Sequence, residues 1–83
     1  MTATVIRRLN AGMYALIKTF SVSKNDVDSI ITEVKLEVKK TKSQHCLVIE
    51  DDDITQCFYI DTDLTLTISN QKPRGGIFLK QKT

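Results

Sequence analysis

The chain has no tryptophan, one proline, one histidine and only two cysteines in 83 residues. Each scarcity closes a class of explanation. Two cysteines are too few for a disulfide-stapled secreted scaffold. Cys46 and Cys57 also lie in apolar, strand-like runs, which suits buried free thiols in a reducing compartment. A lone histidine next to Cys46 offers no paired spacing of the kind a zinc site needs. Adjacent strand residues point to opposite faces, so His45 is badly placed to activate the Cys46 thiol as a nucleophile. Glycine is rare as well: Arg74-Gly75-Gly76 lacks both the spacing of a phosphate-binding loop and a helix to follow it. No apolar run approaches the length of a membrane span. At the N-terminus Arg7-Arg8 follows the apolar residues, the reverse of a secretory signal. The expectation is a cytoplasmic, non-enzymatic protein with no membrane association, no cofactor and no bound metal.

Residues 1–83 make a single domain. At this length folding buries only roughly 60–65% of the extended chain's surface. The large aromatics are limited to Tyr14, Phe20, Phe58, Tyr59 and Phe78. So small a core often completes its burial in an assembly, and a homodimer or a subunit of a complex is expected.

The second half is the easier to read. His45-Cys46-Leu47-Val48-Ile49 is a short apolar run, and Asp51-Asp52-Asp53 is a turn, because adjacent carboxylates repel and require water. Ile54, Phe58 and Ile60 share one face of a following strand. Asp61-Thr62-Asp63 is a second turn. Residues 64–69 then alternate without a break, with Leu64, Leu66 and Ile68 against Thr65, Thr67 and Ser69, the period of a half-buried strand. Residues 70–76 form a loop and Ile77-Phe78-Leu79 a last strand, whose free edge the terminal lysines guard or a second subunit extends.

The first half is ambiguous. Val27, Ile30, Ile31, Val34 and Val38 lie on one helical face, with Ser23 or Asn25 as a cap, so a helix is expected from about 24 to about 40. Leu36 fits that face poorly, and residues 34–39 alternate like a strand. Val5, Leu9, Met13, Leu16, Ile17 and Phe20 also have helical spacing. The competing reading is a hairpin turning at Asn10-Ala11-Gly12, since Gly12 costs a helix interior about 1 kcal/mol. Helix is the favoured reading. The predicted fold is therefore α+β, with one or two N-terminal helices packed on a four-stranded antiparallel β-meander. Leu64, Leu66, Ile68, Ile54, Phe58 and Ile60 are its predicted buried sheet face.

What the chain has in quantity is charge, and it is segregated. Residues 1–43 carry a net +4, residues 44–71 a net −6, and residues 72–83 a net +4. The acids are dense enough to suggest a hard cation, but they lack the glycine and closing glutamate of an EF-hand loop. The two acidic turns also stand ~20 Å apart if one seven-residue strand separates them. Solvated turn carboxylates are the simpler reading. Two functional expectations follow. The first is a protein-interaction module, a small regulatory or inhibitory protein or accessory subunit, that meets another protein through Glu50, Asp51, Asp52 and Asp53. The alternative is a nucleic-acid-binding protein. In that reading a protruding loop with Lys72 and Arg74 joins Arg7, Arg8, Lys39, Lys40 and Lys42 at phosphates, in outline like a winged helix.

Overall fold

The computed structural model describes residues 1–10 and 13–73, and the backbone of 77–80. The chain runs β1 (Thr2–Asn10), β2 (Met13–Ser21), a 3₁₀ turn (Lys24–Asp26), α1 (Val27–Thr41), β3 (His45–Asp51), β4 (Ile54–Ile60), β5 (Leu66–Ser69) and β6 (Ile77–Lys80). All strands join one sheet in the order β5-β4-β3-β1-β2-β6. Each hydrogen-bonded pair among the first five is antiparallel, and β6 pairs parallel with β2. Since β1 lies between β2 and β3, α1 is the crossover of a split β-α-β unit.

The α+β class stands, but the predicted arrangement of N-terminal helices on a four-stranded meander does not. Residues 2–21 are a hairpin. The spacing of Val5, Leu9, Met13 and Leu16 was a coincidence of period: Leu9 is exposed, while Ala3 and Val5 are buried together on one sheet face. The four strands expected as a meander also divide. Three of them, β3, β4 and β5, follow one another, whereas β6 leaves for the opposite edge.

The one helix falls where expected. Its stripe of Ile30, Val34 and Val38 is buried, with Val27 and Ile31 partly so. Neither expected N-cap makes a side-chain capping bond; the Ser23 hydroxyl donates instead to Asp26 Oδ2 at 2.8 Å. The helix ends at Lys42, whose left-handed backbone (φ 56°) lets its N–H donate to Val38 O at 2.8 Å. The stripe packs with Ala3, Val5, Leu47, Ile49, Phe58 and Ile60 to form the main core. A register shift opposite Val5 and Ile6 makes Ile17 an extra residue in β2. That bulge turns both Ile17 and Lys18 toward the helix side.

The other sheet face has its own smaller cluster of Ile6, Cys46, Val48 and Cys57, flanked by Tyr14, Leu16 and Tyr59. The segment after β5 folds onto this face. Tyr59 donates its hydroxyl to Gln71 O at 2.6 Å, and Lys72 Nζ reaches Glu50 Oε2 at 2.9 Å.

The predicted buried face is only half right. Phe58 and Ile60 are buried and Leu64 is half-buried against the main core, but Leu66 is 37%, Ile68 57% and Ile54 69% exposed. The helix lies over β3 and β4 and leaves β5 uncovered. Among the described residues no helix is long and apolar enough to cross a membrane.

Candidate functional site

Register fixes where the charges lie. Thr2 pairs with both Ser21 and Glu50, so the β3–β4 turn and the start of the helical segment share one end of the sheet. Asp51, Asp52 and Asp53 stand there with Asp26 and Asp28 of the helix start, and all five side chains are exposed. The turn is tight, since Asp51 pairs with Ile54, and Asp52 adopts a left-handed backbone (φ 47°) that Asp tolerates better than most residues. Acidic residues at a helix start also complement its dipole. Among the described residues, the side chains of Asp51, Asp52 and Asp53 make no hydrogen bond or ion pair. Glu50 differs from its neighbours: strand alternation puts it on the second sheet face, where Lys72 neutralises it. The four acids of the predicted contact are therefore three free carboxylates and one engaged carboxylate.

Arg7, Arg8, Lys39, Lys40 and Lys42 gather at the opposite end, whereas Lys24 stays at the acidic end with Asp26. Arg7 pairs with His45 on β3, and Arg8 binds Gln44 twice, through N–H to Gln44 O at 2.9 Å and Nη1 to Gln44 Oε1 at 3.2 Å. Gln44 follows the helix C-terminus, so Arg8 lies by the end that carries Lys39, Lys40 and Lys42. Lys72 does not join them: its side chain is tied to Glu50, near the acidic end. Arg74 lies outside the described residues. The second acidic turn, Asp61-Thr62-Asp63, sits at the basic end, one strand length from 51–53 as expected. Its carboxylates are used locally: Asp61 Oδ1 accepts from Thr62 N–H at 2.7 Å and Asp63 Oδ1 from Thr65 N–H at 2.9 Å. Hydrogen bonds from the Thr65 side chain and backbone hold the Asp63 carboxyl below its ordinary range.

A feature the sequence did not reveal is a cleft of about 560 Å³ between α1 and the β1–β2 hairpin. It lies where α1, which packs most closely on β3 and β4, faces Val5 and Arg7 of β1 and Ile17 and Lys18 of β2. Its floor is apolar, from Val5, Ile17, Ile30 and Val34, and Leu36, the misfit of the helical stripe, forms part of its wall. The polar lining includes Arg7, Lys18, Glu33, Glu37 and His45. Opposite charges are present in equal number, so the cleft favours no ligand by sign. Lys18 also sits 4.8 Å from the centre of the Phe20 ring.

His45 is only 2% exposed. Its Nδ1 lies 2.9 Å from Ser43 O, and a carbonyl can only accept, so the neutral ring carries its proton on Nδ1. Burial holds its pKa below the ordinary value, and Arg7 lowers it further, while the Ser43 bond and Glu37 work in the other direction. Arg7 Nε is buried with no hydrogen-bond partner among the described residues. Cys46 and Cys57 belong to the cluster on the second sheet face, diagonal to each other across the β3–β4 hairpin. Burial first, then Cys57, pushes the Cys46 thiol up to about 12, and burial raises Cys57 as well. No group of three or more His, Cys, Asp or Glu among the described residues is arranged to hold a metal ion.

Comparison of the chain with protein-family models, curated proteins and solved structures returns no match. Geometry alone carries the functional reading.

Proposed function

We propose that this protein is a non-enzymatic interaction module, a small regulatory or inhibitory protein or accessory subunit, which docks end-on to a basic surface of another protein. The observation that carries this is the exposed acidic end. Three adjacent carboxylates at a tight turn, without side-chain partners among the described residues, share one end of the sheet with two more at the helix start. Holding like charges together costs energy, and a cationic partner relieves it. The contact set is Asp51, Asp52 and Asp53 with Asp26 and Asp28, and Glu50 serves to tether Lys72. Two buried free thiols fit action in the reducing cytoplasm.

Affinity capture from the native source, with Asp51→Lys/Asp52→Lys/Asp53→Lys beside the unaltered chain, tests the reading. The reversed chain should lose the captured protein. Equal capture by a folded reversed chain would sink the proposal.

The grouping of Arg8 with Lys39, Lys40 and Lys42 at the other end favours one second reading, phosphate contact with a nucleic acid. It requires binding that weakens steeply with salt, about 0.9 log units per decade for each phosphate neutralised. A complete lack of DNA or RNA binding at low salt would dismiss it.

A further inference from the structure

Strand β5 is the outermost strand at its side of the sheet, and among the described residues nothing pairs with its outer edge. Such an edge is a template for another strand, and proteins usually guard it with charge, proline or a bulge. Residues 65–70, Thr-Leu-Thr-Ile-Ser-Asn, contain no charge and no proline, and the pairing of β5 with β4 runs without a register shift. Leu66 and Ile68 lie opposite Ile60 and Phe58 on the helix-bearing face, yet they remain 37% and 57% exposed because α1 does not reach them.

We propose that β5 pairs antiparallel with β5 of a second copy, about a twofold axis perpendicular to the sheet at Thr67. The strand is self-complementary in this arrangement. Such an axis keeps both helices on one side, so residues facing each other must point to the same face. With Thr67 opposite itself, Leu66 of each copy faces Ile68 of the other, and Thr65 faces Ser69. Four exposed apolar side chains then cover one another at the centre of a continuous sheet.

The acidic turn at 51–53 stays outside the contact, so this dimer stands independently of the docking reading above.

So short an edge falls below the about 800 Å² per partner of a standard stable interface, which makes the association weak and reversible. Sedimentation equilibrium of the full chain over a concentration series is the test. The average mass should rise from 9.4 kDa toward twice that value. Ile68→Lys should keep the mass at the monomer value with an unchanged circular dichroism spectrum, and Ile68→Thr serves if the lysine variant fails to fold. Thr67→Cys should give a disulfide-linked dimer under mild oxidation. Thr65→Cys should not, because its two copies stand ~13 Å apart along the strands. A monomer at every concentration up to about 1 mM overturns the proposal. So does a dimer that survives Ile68→Lys, or one that Thr65→Cys links and Thr67→Cys does not.

Discussion

Lys42 ends the helix in a conformation that suits glycine and not lysine, and replacing it isolates one backbone effect. Its φ of 56° brings Cβ toward the following carbonyl, at a cost of about 1–2 kcal/mol. Lys42→Gly removes that strain but adds unfolded-chain entropy of about 0.5–1 kcal/mol. It also removes a cation from the helix C-terminus, worth about 0.3 kcal/mol at an exposed site where Lys39 and Lys40 remain. These terms nearly cancel, so Lys42→Gly alone should leave stability unchanged or slightly raised. Lys42→Ala loses the same charge and keeps the strain. The difference between the two variants should be about 1 kcal/mol in favour of glycine, which corresponds to a melting temperature roughly 4–8 °C higher. Thermal denaturation followed by circular dichroism at 222 nm measures it. If Lys42→Ala melts at or above Lys42→Gly, the helix does not end in this left-handed cap.

Three further outcomes are expected. Leu47 is fully buried at the centre of the sheet, so Leu47→Ala should cost about 3 kcal/mol in urea unfolding, whereas the exposed Leu36→Ala should stay within about 0.5 kcal/mol. With the Cys46 thiol pushed up to about 12, and Cys57 also raised, neither should react with iodoacetamide at pH 8 in the folded protein, and both should react in urea; fast labelling of the native chain would mean that the second-face cluster is open. His45 is held below its ordinary 6.5, so the unfolded chain binds its proton first and stability should fall as pH drops from 6.5 toward the lowered value. The slope of unfolding free energy over that range should flatten in His45→Gln, and an unchanged slope would place the titration elsewhere.

How far the sequence could be read depends on which physical signal each element leaves. The helix was legible because its apolar stripe recurs at Val27, Ile30, Ile31, Val34 and Val38, and the hairpin β3–β4 because three adjacent aspartates can only be a turn. The N-terminal hairpin was hidden by the bulge at Ile17, which breaks the alternation of β2 and leaves an apolar run that fits a helix equally well. Strand β5 taught a different lesson. Its alternation correctly separated Leu66 and Ile68 from Thr65 and Thr67, but periodicity identifies a face without telling whether anything covers it. The same limit applies to the charges. The acidic turn could be named from sequence, whereas its companionship with Asp26 and Asp28 depends on Thr2 pairing with both Ser21 and Glu50. The cleft left no sequence signal at all: Arg7 and His45 meet only through the β1–β3 register, and the opening reflects where the helix comes to rest.

The docking reading is tested most directly by the amide spectrum of the isotope-labelled protein during titration with the protein it captures. Shifts should concentrate at residues 26–28 and 51–53, and should weaken as salt is raised. Shifts confined to Arg8, Lys39, Lys40 and Lys42, or to the cleft lined by Arg7 and His45, with the acidic end undisturbed, would contradict it.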